Sequence, residues 1–146
     1  MTDTQRAYIA GLFDGEGSVG LYFKTRQNCF VLQVSVYNCN YAVMNWLKVN
    51  VPYGSISKNS GGDKSNHILW MWGCSSQQAK NFLSEIRPYL VIKAEQVDLL
   101  FSLWEAEQKV QKLDDRGKLS SELFALRQET VIELKRLKTS AYQRLS

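Results

Sequence analysis

The sequence predicts an α+β fold: one four-stranded antiparallel sheet, built from two hairpins, with helices packed on its dry face. Three observations predict it. The stretch Ala7–Gly17 has helical spacing and stops at glycines. From Val19 the apolar period falls to two, through a pair of cleanly alternating segments. The helix–hairpin succession then recurs once before the chain ends in helices, giving the order helix, hairpin, helix, hairpin, helices.

The first helix carries an unusual pattern. Ala7, Gly11 and Gly15 fall four apart and form a stripe without side-chain bulk, a device that lets another helix approach closely. Tyr8, Ile9, Leu12 and Phe13 fill the other faces, so most of the circumference calls for burial. Asp14 and Glu16 sit at the C-terminal end, where the helix dipole disfavours acids. Acids kept at that end suggest a cation nearby. The plainer reading is a C-cap and turn with its acids in water, and the residues alone leave both open.

After Gly17, Val19, Leu21 and Phe23 form one face of a strand. Tyr22, Lys24 and Arg26 face the other way. Arg26-Gln27-Asn28 makes a turn, and a second strand runs from Cys29 to about Tyr37. There Phe30, Leu32, Val34 and Val36 point to the core, which sends Gln33, Ser35 and Tyr37 outward. The outward face of this hairpin contains no acid, as a surface that meets phosphates requires. Its Gln, Arg, Tyr and Ser side chains are of the kinds that read base edges and phosphates, although a solvated face would look the same.

Asn38-Cys39-Asn40 ends that strand, and 41–49 reads as a short helix with Val43, Trp46 and Leu47 inward. Pro52-Tyr53-Gly54 breaks it. A second hairpin follows, 55–59 and 66–73, joined by the polar loop 60–65. Ser55, Ser57 and Asn59 share one face of its first strand. Its second strand is apolar on both sides, so periodicity does not say which side faces the core. Ser75-Ser76-Gln77-Gln78 has capping-box spacing ahead of a helix to about Ile86. A helix from about Lys93 presents Val97, Leu100, Phe101 and Trp104 as a core stripe. Asp114-Asp115-Arg116-Gly117 interrupts it, and a last helix of about 119–137 packs through Leu119, Leu123, Leu126, Leu134 and Leu137. It ends in a basic cluster, Lys135, Arg136 and Lys138, suited to phosphates or simply to water.

At 146 residues the chain reads as one domain, 1–146, large enough for its own core. Hydrophobic residues make up 45% and charged residues 22%, the balance of a globular protein. No apolar run is long enough to span a bilayer and no signal-peptide pattern opens the chain, so an intracellular location is expected. The net charge of +4 fits a polyanion partner without requiring one. Cys29, Cys39 and Cys74 are odd in number and lack zinc-ligand spacing, and the lone His67 reads as structural or surface.

The nonamer Ile9-Ala10-Gly11-Leu12-Phe13-Asp14-Gly15-Glu16-Gly17 closely resembles the signature of the LAGLIDADG homing endonucleases. Arg87-Pro88-Tyr89-Leu90-Val91-Ile92-Lys93 resembles that family's Pro-Tyr-Leu-type turn, which delivers a lysine beside the active site. The resemblance runs over nearly the whole chain. It implies the αββαββα saddle fold, whose sheet lies in the DNA major groove. It also implies site-specific, divalent-metal-dependent cleavage of double-stranded DNA with a staggered break. Since the acidic motif occurs once, the chain would supply half of a symmetric site and work as a homodimer through Ala7, Gly11 and Gly15.

By the same resemblance Glu16 is the metal-binding acid, joined by the carbonyl of Gly15, with Mg²⁺ or another divalent cation such as Mn²⁺ as cofactor. Asp14 is a supporting acid. Lys93 matches the basic residue that polarises water or stabilises the phosphate, and Asn38 matches a polar residue that orders the water network. The DNA-contacting set is Tyr22, Lys24, Arg26, Gln33, Ser35, Tyr37, Ser55, Ser57, Asn59, Lys135 and Lys138. The chain departs from some relatives in having Ala42 where they carry an arginine, and in having Glu16 as its second acid. Two other functions fit the same fold: an RNA-binding intron maturase, or a DNA binder that does not cut.

Overall fold

The computed structural model describes residues 1–59 and 67–143. Helix α1 (Asp3–Glu16) runs directly into strand β1 (Gly17–Lys24), and β2 (Cys29–Asn38) completes the first hairpin. Helix α2 (Tyr41–Asn50), strands β3 (Ser55–Lys58) and β4 (Trp70–Ser75) and helix α3 (Ser76–Ile86) follow. Helices α4 (Ala94–Glu107) and α5 (Ser121–Gln143) end the chain. The four strands form one sheet in the order β1-β2-β4-β3, with β4 antiparallel to both neighbours. Among the described residues no helix is long and apolar enough to cross a membrane.

The chain divides into two compact units, Met1–Val19 with Leu32–Ile92, and Gly20–Val31 with Lys93–Ser146. In the first, α1 begins at a capping box: the Thr2 hydroxyl accepts from the Gln5 amide, and the Gln5 side chain accepts from the Thr2 amide. Val34 and Val36 of β2 and Trp72 of β4 are fully buried, together with Ile9 and Phe13 of α1 and Phe82 and Leu83 of α3. Trp72 is the largest of these, its ring 5.1 Å from Phe82, which in turn meets Phe13 edge-on at 5.6 Å. Gly54 makes room for it. At φ +86° its backbone suits glycine, and a Cβ there would lie 2.7 Å from the indole.

Trp72 pairs with Val36, so the core side of β4 carries Trp72 and Cys74 and the outward side carries Met71 and Gly73. This settles the face that periodicity left open. The second hairpin differs from expectation at its ends. β4 begins at Trp70 and continues to Ser75, because pairing with β2 carries it past Gly73. The expected loop 60–65 and the strand start at 66 lie outside the described residues. The capping box expected at Ser75 is not formed: Ser75 is the last paired residue of β4, Ser76 turns at φ +53°, and no side-chain hydrogen bond caps α3. In α2 the buried residues are Met44 and Leu47, with Val43 and Trp46 only half-buried.

In the second unit α4 packs along α5. Val97, Leu100 and Leu103 meet a partner helix whose buried residues include Leu123, Thr130 and Leu134. Phe101 and Trp104, expected in the core stripe, are half-exposed and stack on each other at 5.0 Å. Leu103 takes their place. Glu107 and Arg127 form an ion pair at 2.7 Å. Phe23, Phe30 and Phe124 form a triangle of rings 5.0–5.5 Å apart, so Phe23 finds an aromatic partner although it stays 38% exposed. The break between the helices is a turn that Asp114 organises by accepting from the amides of Arg116 and Lys118, with Gly117 at φ +72°.

Candidate active site and nucleic-acid interface

The helix of the acidic motif separates its two carboxylates. Asp14 is 9% exposed, and its Oδ2 accepts from the amides of Val91 at 2.8 Å and Ile92 at 3.2 Å. The carboxylate thereby fixes the segment that follows the Arg87–Tyr89 turn and leads straight into Lys93. Glu16 lies two residues on, at the end of the helix, and is exposed. Gly17 leaves the helix in an extended conformation, and a Cβ there would strike the Phe13 ring at 2.1 Å, so the position calls for glycine. The carbonyl of Gly15 belongs to the last turn, where helical carbonyls lack an i+4 amide partner.

Ala7, Gly11 and Gly15 are all exposed. A Cβ added at Gly11 or Gly15 would meet nothing within 4 Å, so the stripe faces open space within the chain. Tyr8 beside it is 53% exposed and touches Trp46 edge-on at 5.0 Å. Asn38 at the end of β2 is half-buried, and its Oδ1 accepts from the Asn40 amide at 2.8 Å. Asn40 in turn caps α2 by accepting from Ala42 and Val43.

Lys93 is the N-cap residue of α4, where the helix dipole and the ammonium both favour an anion. Lys138 on α5 is half-buried, and burial first, then the charge of Lys93, lowers its pKa. Lys135 is exposed, whereas Arg136 is engaged by Glu133 through both carboxylate oxygens. The basic cluster is thus three different environments rather than one patch.

On the outward face of the first unit, register brings Gln33 beside Ser75, sets Gly73 between Ser35 and Ser55, and sets Met71 between Tyr37 and Ser57. Gln33, Ser55, Ser57 and Asn59 are exposed and Tyr37 is half-buried. Ser35 departs from the others, keeping 6% of its surface. Met71, Gly73 and Ser75 belong to this face and were missed in the sequence; only pairing with β2 reveals them. In the second unit Tyr22, Lys24 and Arg26 are exposed, and the Tyr22 ring lies over Gly20.

Glu16 and the Gly15 carbonyl are hard oxygen donors and fit Mg²⁺ or Ca²⁺ in kind. They fall short in number. No group of three or more His, Cys, Asp or Glu residues able to hold a metal occurs among the described residues. A cation held there would need further ligands beyond these two.

Asp14 makes a separate, testable contribution. Asp14→Ala leaves two amides without an acceptor and removes charge-assisted bonds, at about 2 kcal/mol. Thermal denaturation reads that loss, and hydrogen exchange at Val91 and Ile92 is expected to accelerate with it.

No protein-family profile matches the chain, and no curated protein matches it by sequence. Solved structures do. The homing endonuclease I-CvuI, in complex with its target in the presence of calcium, superposes with a TM-score of 0.72 at 13% identity, over 92% of this chain and 82% of that one. The archaeal intron-encoded homing endonuclease I-Vdi141I, complexed with DNA, gives 0.66 at 17% identity over 97% and 96%. The LAGLIDADG homing endonuclease I-GzeII, in complex with its DNA target, gives 0.58 at 15% identity, over 88% of this chain and 43% of that one. The chain has the fold of the LAGLIDADG homing endonucleases.

Proposed function

We propose that two copies of this chain form a site-specific endonuclease that makes a staggered break in double-stranded DNA. The observation that carries the reading is the division of labour at the end of α1. Asp14 is buried and spent on its own chain, whereas Glu16 is exposed beside a bare stripe of small residues. Closing that stripe against its copy around a two-fold axis brings two Glu16 carboxylates together. Two such acids repel each other unless a cation joins them. The fold's occurrence in proteins solved with DNA, and I-CvuI's with calcium or magnesium, supports the same reading.

Within it, Glu16 and the Gly15 carbonyl would hold a divalent cation, with phosphate, water and the second copy completing its shell. A bound cation would supply charge stabilisation at the scissile phosphate and a more acidic water. Lys93 binds a phosphate oxygen or orients the attacking water from the positive end of α4. Asn38 holds water at the strand end. The acid-free outward faces of the hairpins meet the major groove, and Lys135 and Lys138 contact the backbone. A non-cleaving relative has no need of Glu16, and here that acid is present and open.

Selecting bound duplexes from a randomised pool tests the partner. Recovery of one pseudo-palindromic sequence supports the reading, and recovery no better than for random duplex sinks it. On the selected duplex, Lys93→Met is expected to slow single-turnover cleavage by at least 10²-fold at saturating enzyme. Lys135→Ala is expected to weaken binding and leave that rate unchanged. Equal rate defects at saturation would contradict these roles.

A further inference from the structure

Helix α2 is fully buried on one side only, through Met44 and Leu47. On its other side Tyr41, Asn45, Lys48 and Val49 fall at i, i+4, i+7 and i+8, which is one stripe of a helix. A stripe turned to water is ordinarily polar. Here Tyr41 is 50% exposed and Val49 74%. The stripe lines a recess of about 520 Å³ together with Ile56 of β3 and Trp70 of β4. Trp70 alternates with Met71 and shares its side of β4 with the core residue Trp72. The recess therefore lies across the sheet from the outward face, away from the surface proposed to meet duplex DNA.

Two rings form a corner of it. Tyr41 and Trp70 stand 4.8 Å apart with their planes at 60°, so a flat group lying on one ring meets the other at an angle. Lys58 pairs with Trp70 across the hairpin, and its ammonium lies 5.6 Å from the indole centroid. Lys48 lines the recess and is exposed, as Lys58 is. No acid lines it among the described residues. Core packing accounts for the buried Trp72, but not for an open pair of rings with two lysines beside it. A ligand suited to rings and cations together joins a π-face to an anion, and a nucleotide is that combination. Bases inside a duplex are stacked on one another and offer no free face. The form that fits is an unpaired nucleotide.

We propose that this recess is a binding site for single-stranded nucleic acid, in which an unpaired base stacks on Tyr41 in the corner made with Trp70. Lys48 and Lys58 meet the flanking phosphates, and the Asn45 amide is placed to bond a base edge. Stacking is indifferent to base identity, so little sequence preference is expected. The site stands apart from duplex cleavage, and its failure leaves that reading untouched.

The test uses the full chain and a fluorescein-labelled single strand of about twelve nucleotides without self-complementarity, once as RNA and once as DNA. Anisotropy reads the binding. Retention of either strand at micromolar chain supports the site, and the tighter of the two identifies the sugar it prefers. Tyr41→Ala is expected to weaken binding about tenfold, and Tyr41→Phe, which keeps the ring, less than about twofold. Lys48→Ala is expected to reduce the slope of log affinity against log salt by about 0.7. Val49→Glu sets a carboxylate at an exposed position of the recess and serves if Tyr41→Ala fails to fold; it is expected to weaken binding about tenfold. Tyr41→Ala is also expected to leave affinity for the duplex selected from the randomised pool unchanged. Full displacement of the strand by an excess of that duplex would place it on the outward face and overturn the inference. So would failure to retain either strand, or affinity unchanged in both Tyr41→Ala and Val49→Glu.

Discussion

Glu16→Gln is expected to abolish cleavage, by 10³-fold or more, while DNA affinity stays within about threefold. The substitution keeps the size of the side chain and removes only its charge. Because Glu16 is exposed at the end of α1, no packing depends on it, and the fold and DNA surface remain. A neutral amide is a poor ligand for a hard divalent cation, and the remaining protein donor, a carbonyl, does not replace it. Removing the charge also relieves the repulsion between two acids brought together at a two-fold axis, so the pair of helices is expected to hold at least as tightly. A loss of affinity that parallels the loss of cutting would assign Glu16 to the fold or to the DNA contact instead.

The second large effect is expected at Gly11. Within one chain, a Cβ at Gly11 meets nothing within 4 Å, so Gly11→Leu projects into open space in its own fold. Against a second helix packed on Ala7, Gly11 and Gly15 it is too large. Overpacking costs about 1–3 kcal/mol per site, and two-fold symmetry applies it twice. The dimer dissociation constant is therefore expected to rise about 10²-fold or more. Sedimentation of native and variant chains measures this, and circular dichroism checks that the variant keeps its helices and melting temperature. A native chain that sediments as a monomer at micromolar concentration would place the stripe outside any self-association.

Much of this arrangement is written locally in the chain. The alternation of Phe30 to Tyr37 is strict, and a slip of one residue would bury Lys24 and Arg26, so the inward and outward sets of the first hairpin are readable. Glycine at 54 and the Asp114–Gly117 turn are likewise local chemistry. What the sequence hides is decided between elements. His67 to Trp72 is apolar at nearly every position, and only pairing of Trp72 with Val36 chooses its inner face. Phe101 and Leu103 are equally apolar, and packing against α5 buries Leu103. The serines and glutamines at 75–78 spell a capping box that is not made, while the working one, Thr2 with Gln5, was overlooked. Spacing defines a candidate cap; the backbone angle at Ser76 decides it. Ser35 looks like its outward neighbours in sequence, and only the folded sheet shows it beside Gly73 with 6% of its surface exposed.

The proposed role of Glu16, doubled by a second copy, is metal-dependent cutting at one place in DNA. Its most direct measurement is cleavage of the duplex selected from the randomised pool, in Mg²⁺ and in EDTA, with both strands mapped at nucleotide resolution. One cut per strand is expected, offset and symmetric about the centre of the site, present in Mg²⁺ and lost in EDTA. An intact duplex in Mg²⁺ at saturating enzyme, or cutting undiminished by EDTA, would contradict it.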